Sequence, residues 1–111
     1  MNRPLVYLAV PYSHPDPKVS LYRFDMVNKA AAELTRQGLT VFSPISQSHP
    51  IATSYGLPVD WGFWEKFDRN FLSCCNTLYV LKLDGWEKSH GVQSEIAIAK
   101  EMGIDIIYIT P

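Results

Sequence analysis

Leu5-Val6-Tyr7-Leu8-Ala9-Val10, closed by Pro11, is the stretch whose reading decides the fold. It is apolar at every position and rich in β-branched side chains, with no polar alternation. A strand of that kind is covered on both faces, as in a parallel sheet with helices above and below. Working outward, Lys18 to Gln37 reads as a helix with Val27, Ala30, Ala31 and Leu34 inward and Gly38 as its stop signal. Thr40 to Ser43 is a short second strand ended by Pro44. Ile45 to Asp60, rich in Ser, Pro and His, reads as a long irregular loop and a candidate functional segment. A helix from Trp61 to Cys75, a strand from Thr77 to Leu83, a turn from Asp84 to Gly91, a helix from Val92 to Gly103 and a strand from Ile104 to Ile109 complete the pattern.

Alternating strands and helices with right-handed crossovers define an α/β fold. The expectation is a single domain over residues 1–111, a three-layer α/β/α sandwich of flavodoxin- or Rossmann-like type. Its sheet should be mostly parallel, with four to five strands. Ligands in such sheets bind beyond the carboxyl ends of the strands. Those ends carry Tyr7 to Ser13, the segment after Pro44, and Asp84 to Gly91.

Two carboxylates disturb otherwise apolar helix faces. At roughly 100° per residue, Asp68 falls among Phe63, Trp64, Phe67, Phe71, Leu72 and Cys75. Glu95 falls among Val92, Ile96, Ile98, Ala99 and Met102. Burying a bare carboxylate costs several kcal/mol, so each must be paired, hydrogen-bonded or protonated. Two such sites in so small a domain suggest one cleft that both carboxylates face. Placed in the first turn of its helix, Glu95 would be held ionised by free N–H groups and the helix dipole. The competing structural accounts are that Glu95 caps its helix and that Asp68 pairs with Arg69 or a lysine.

Composition sets further bounds. The 111 residues carry a net charge of −1, with 47% hydrophobic and 19% charged content. That balance gives no electrostatic case for nucleic acid or a membrane surface. No apolar run approaches the roughly 20 residues of a membrane span, and Met1 to Pro4 leads into the first strand without a signal peptide. A cytoplasmic protein is expected. Adjacent Cys74 and Cys75 suit neither a disulfide framework nor a metal site and read as a buried helix end. His14, His49 and His90 lack metal-ligand spacing, so no metal is expected. Gly85 to Gly91 offers donors beside a helix N-terminus, a candidate anion site, but matches neither a dinucleotide fingerprint nor a P-loop. Trp61, Trp64 and Trp86 could stack on a planar ligand or pack in the core. With Phe63, the first two of these suggest a surface covered by a second copy, in a homodimer or homotetramer. In that assembly, residues near His49 or Tyr55 would approach the neighbour's cleft.

Tyr7-Leu8-Ala9-Val10-Pro11-Tyr12-Ser13, together with Asp84-Gly85-Trp86 leading through Ser89-x-Gly91-Val92 to Glu95, resembles the nucleoside 2-deoxyribosyltransferase and nucleotide N-glycosidase superfamily. The resemblance covers nearly the whole chain and is to a small bacterial and phage branch. It implies that Glu95 is the nucleophile, Tyr7 orients it, and Asp68 gives a proton to the leaving base. It further implies that Ser89 contacts a 5′-phosphate, as in the deoxynucleotide hydrolases, with Arg23, His14 or His90 assisting. Where those hydrolases place a basic residue and a serine after strand one, this chain has Pro11, Tyr12 and Ser13. Ser13, Ser89, Gly91, Asp84, Trp86, His49 and Trp64 are the expected substrate-binding residues. The implied activity is cleavage or exchange of an N-glycosidic bond in a nucleoside or nucleotide, as a hydrolase or pentosyltransferase of nucleotide metabolism. It needs no metal or organic cofactor. The alternative is a non-catalytic nucleotide-binding or sensing module that uses the same cleft.

Overall fold

The computed structural model describes residues 4–111, so Met1 to Arg3 of the expected lead-in lie outside the described residues. Its elements are β1 (Leu5–Ala9), α1 (Pro17–Arg36), β2 (Thr40–Phe42), α2 (Pro44–Tyr55), α3 (Trp61–Ser73), β3 (Thr77–Leu81), a 3₁₀ turn at Trp86–Lys88, α4 (His90–Met102) and β4 (Asp105–Ile109). The four strands form one parallel sheet in the order β2-β1-β3-β4. The uniformly apolar β1 is interior, paired to β2 on one edge and β3 on the other. The order in which strands are added reverses at this strand, with β2 on one side and β3 and β4 on the other, and a ligand crevice belongs at its carboxyl end.

Each face of the sheet has its own core. Tyr7, Ala9, Leu78 and Val80 pack with Leu72 of α3, with Cys75 just beyond its end, and with Val92, Ile96 and Ala99 of α4. On the other face, Leu8, Val10, Leu81 and Leu83 pack with Val27 and Leu34 of α1, and Ile45 of α2 adds to them. This is the three-layer α/β/α sandwich, in a single domain. Asp16 starts α1 by accepting from the Lys18 N–H at 2.9 Å, with Pro17 at the first helical position. The third strand ends at Leu81, two residues early, because the Leu83 N–H turns back to the Leu81 carbonyl at 2.8 Å.

The largest departure from expectation is the segment 45–60, which is not an irregular loop. Pro44 to Tyr55 is a helix with Pro44 at its start and Gly56 as its left-handed stop at φ 73°. Pro50 sits inside it, where it removes one helical hydrogen bond. The Cys pair also differs from the expected buried end: Cys75 is buried, whereas Cys74 is exposed. Among the described residues, no helix is long and apolar enough to cross a membrane.

Candidate active site

Glu95 belongs to the second turn of α4. The helix begins at His90, two residues earlier than its apolar pattern suggests, because Ser89 is the N-cap and accepts from the Val92 N–H at 3.3 Å. Glu95 is thus the sixth helical residue, beyond the free N–H groups of the first turn, and neither caps the helix nor draws on its open end. Its partner comes from the sheet: the buried Tyr7 hydroxyl donates to Glu95 Oε2. Burial pushes the Glu95 carboxyl up to about 8, against the pull of the Tyr7 hydrogen bond, and the charge of Asp68 adds to the rise. The expectation of a carboxylate ionised by a helix terminus is therefore corrected. Tyr7 is the group that favours its charge, and desolvation opposes it. Burial and the two carboxylates hold the Tyr7 phenol well above its ordinary range, so it remains a donor.

Asp68, on α3, is 6% exposed, and Glu95 is 5% exposed. Asp68 has no ion-pair partner among the described residues, because Arg69 bonds instead to Glu65 one turn away at 3.8 Å. Its Oδ1 is sealed from solvent and has no hydrogen-bond partner among the described residues. Burial pushes its carboxyl up to about 7. Asp60 caps α3 through the Phe63 N–H at 3.1 Å, and on this helix Asp68 lies one turn before Leu72 on the same buried face.

Both carboxylates line one cavity of about 590 Å³ at the carboxyl end of the sheet, within the range of roughly 300–1,000 Å³ usual for small-molecule sites. Ser13, Ser89, Gly91, His49 and Trp64 line it as well. Trp64 is held by its indole N–H, which donates to the Pro58 carbonyl at 2.7 Å. Ser89, with its oxygen occupied by the helix cap, retains its hydroxyl proton as a donor. Tyr7 lies behind the wall, reaching the site through Glu95. Asp84 and Trp86 are not brought into the lining. Trp86 packs on Tyr108 of β4, with ring centroids 5.6 Å apart, and Asp84 contributes its backbone carbonyl to Arg23.

Arg23 has a larger part than the sequence suggested. From α1 it reaches across the strand ends, donating to the carbonyls of Ser13 at 3.1 Å, Tyr12 at 3.5 Å and Asp84 at 3.2 Å. It makes no ion pair with a described residue and lines the cavity close to Gly85, whose φ is +92°. Tyr12, Ser48 and Asp60 also line the cavity. Tyr12 was discoverable from its place just after β1, where ligands gather in such sheets. Among the described residues, no group of three or more His, Cys, Asp or Glu side chains could hold a metal ion.

Fold and site together define a small parallel α/β protein with a two-carboxylate crevice at its topological switch. A family model described as "Domain of unknown function (DUF1937)" matches residues 4–110, and the chain belongs to that family. No curated protein matches the chain.

Proposed function

We propose that the protein cleaves or exchanges the N-glycosidic bond of a nucleoside or nucleotide. The observation that carries this reading is the unequal pair of buried carboxylates in one cavity. Glu95 receives a hydrogen bond, and Asp68 Oδ1 receives none. With both carboxyls raised by burial and lining one cavity, the site can hold a proton near neutral pH. We assign that proton to Asp68 on the hydrogen bonding, since the Tyr7 hydroxyl favours the charged form of Glu95 and Asp68 Oδ1 has no donor, although burial raises Glu95 the further of the two. That division is what a glycosidase of the retaining type needs.

In the first step Asp68 gives its proton to the departing base as the C1′–N bond breaks, and Glu95 attacks C1′ to form a glycosyl ester. In the second step the Asp68 carboxylate takes a proton from water as that water attacks C1′. This frees the sugar and restores both groups. A second base in place of water gives exchange. Ser89 and Gly91 at the α4 start, with the Arg23 cation of α1 lining the same cavity, support a substrate with an anionic 5′ group. A cytoplasmic setting and a homo-oligomer belong to the same reading. The latter is supported by Phe63, half exposed beside the cavity helix, and by the strongly exposed Tyr55.

The test is a screen of nucleosides and 5′-nucleotides, read by chromatography for released base. Release that disappears in Glu95→Ala is expected. Binding without any release would replace the enzyme with a nucleotide sensor.

A further inference from the structure

The loop after β1 sets Tyr12 against α2, where its hydroxyl meets Nδ1 of His49. The phenol ring stands edge-on to the imidazole, with centroids 5.5 Å apart and planes at 81°. Phe24 of α1 stacks on the same imidazole at 4.2 Å and 27°. The imidazole is thus fixed at one nitrogen and on one face, and His49 lines the cavity. Nε2 has no partner among the described residues. It is not sealed either, since Asp68 Oδ1 is the one side-chain atom among them that is both sealed and unpartnered. A ligand in the cavity can therefore reach Nε2.

The direction of the Tyr12–His49 bond follows from satisfying both groups. Tyr12 is buried, and its hydroxyl proton has no other acceptor among the described residues. If His49 donated from Nδ1, no described residue would take that proton, and Tyr12 would depend on whatever fills the cavity it lines. If Tyr12 donates, Nδ1 accepts and the imidazole proton must sit on Nε2. Burial keeps the ring neutral by lowering His49, with Asp25 on α1 pulling the other way. It also raises the Tyr12 phenol, which keeps its proton.

We propose that Tyr12 is a positioning residue that locks His49 as its Nε2–H tautomer, so that α2 presents the ligand with one fixed, uncharged donor. The ligand atom it selects is a neutral acceptor, a carbonyl oxygen or an unprotonated ring nitrogen. That half rests on the glycosidase reading, under which the acceptor belongs to the leaving base.

Long-range ¹⁵N–¹H NMR of the ligand-free chain reads the tautomer directly. At neutral pH, His49 Nδ1 should resonate as an unprotonated nitrogen and Nε2 as a protonated one. Tyr12→Phe should move both toward the averaged values of an exchanging ring. Adenine, hypoxanthine, cytosine and uracil are then titrated in turn. At least one should shift the Nε2 resonance, and its affinity should fall about tenfold in His49→Phe. His49→Gln, which keeps a donor, should restore it. A protonated Nδ1 in the natural sequence overturns the proposal, whether or not Tyr12→Phe folds. A Tyr12→Phe spectrum identical to the natural one overturns the role of Tyr12. If the tautomer is as stated and no base shifts Nε2, the acceptor half is overturned. Base release with the wrong tautomer sinks this inference alone, whereas the right tautomer without base release sinks the glycosidase reading and the acceptor half with it, and leaves the role of Tyr12 standing.

Discussion

Asp68 on α3 and Glu95 on α4 are equally hidden, yet their surroundings differ in one respect. Glu95 faces a hydroxyl from the central strand, and Asp68 Oδ1 faces no donor. Burial raises both carboxyls, so burial alone cannot assign their roles. The donor decides. A carboxylate with a hydrogen bond is suited to carry charge, and one without is suited to carry a proton. Under the proposed reading the two helices supply similar scaffolds for opposite chemistry, and each prediction below tests whether that asymmetry is real.

The largest effect is expected at the charged partner. Glu95→Ala should reduce base release by at least about 10⁴-fold, the scale seen when a nucleophile is deleted. A residual rate within tenfold of the natural one would mean that Glu95 is not the attacking group. Asp68→Asn keeps the shape but cannot deliver a proton. It should slow release by roughly 10²–10⁴-fold, most for poor leaving bases. Equal slowing for all bases would break the asymmetry between the two carboxyls.

The pH dependence of stability tests the shared feature of the pair. Each carboxyl has a folded value above its unfolded one, so between about pH 4 and 8 the folded state binds more protons. Stability is therefore full on the acid side and is lost as pH rises through about 7 for Asp68 and about 8 for Glu95. Asp68→Asn should flatten that decline and gain at most about 4 kcal/mol above pH 8. Melting curves of the two proteins across this range check the sign, and a natural protein that grows more stable toward pH 8 would contradict it.

Tyr7→Phe removes the one difference between the two sites. Glu95 should then need a higher pH to ionise, which moves the acid limb of the kcat profile upward and lowers the neutral rate about tenfold. An unmoved limb would show that Tyr7 only packs. The smallest effect is expected at Ser89→Ala. It should weaken 5′-nucleotides more than nucleosides if Ser89 holds an anionic group, and affect both alike if it only caps α4 at a cost of about 1 kcal/mol.

Much of this was legible because charge stands out on an apolar stripe. Asp68 and Glu95 could be singled out by helical spacing alone, and β1 was read from its unbroken hydrophobicity. α2 was not legible, and the reason is physical. Its inner positions, Ile45, Ser48, His49 and Ala52, have the i, i+3, i+4, i+7 spacing of a helix face. Ser48, His49 and Ala52 all line the cavity, however, and the first two are polar. A helix that walls a polar cavity lacks the hydrophobic signal that would reveal it, and Pro50 obscures the pattern further. The start of α4 was misplaced for a related reason. Counting from the apolar stripe put Glu95 in the first turn, whereas the cap is made by Ser89, outside that stripe. The reach of Arg23 to three carbonyls has no local sequence signature at all.

That reach has a consequence for how the sequence can vary. A Cβ at Gly85 would sit 2.8 Å from Arg23 Nη2, and the backbone there is left-handed at φ +92°. Position 85 therefore disfavours side chains through its left-handed backbone, and a Cβ there would also push the Arg23 guanidinium from its place beside the Asp84 carbonyl. Among homologous sequences, arginine at 23 should be accompanied by glycine at 85. Asparagine or aspartate, which tolerate the left-handed region, should become admissible at 85 only where residue 23 has shortened. Two positions 62 apart in the chain would then drift as one unit.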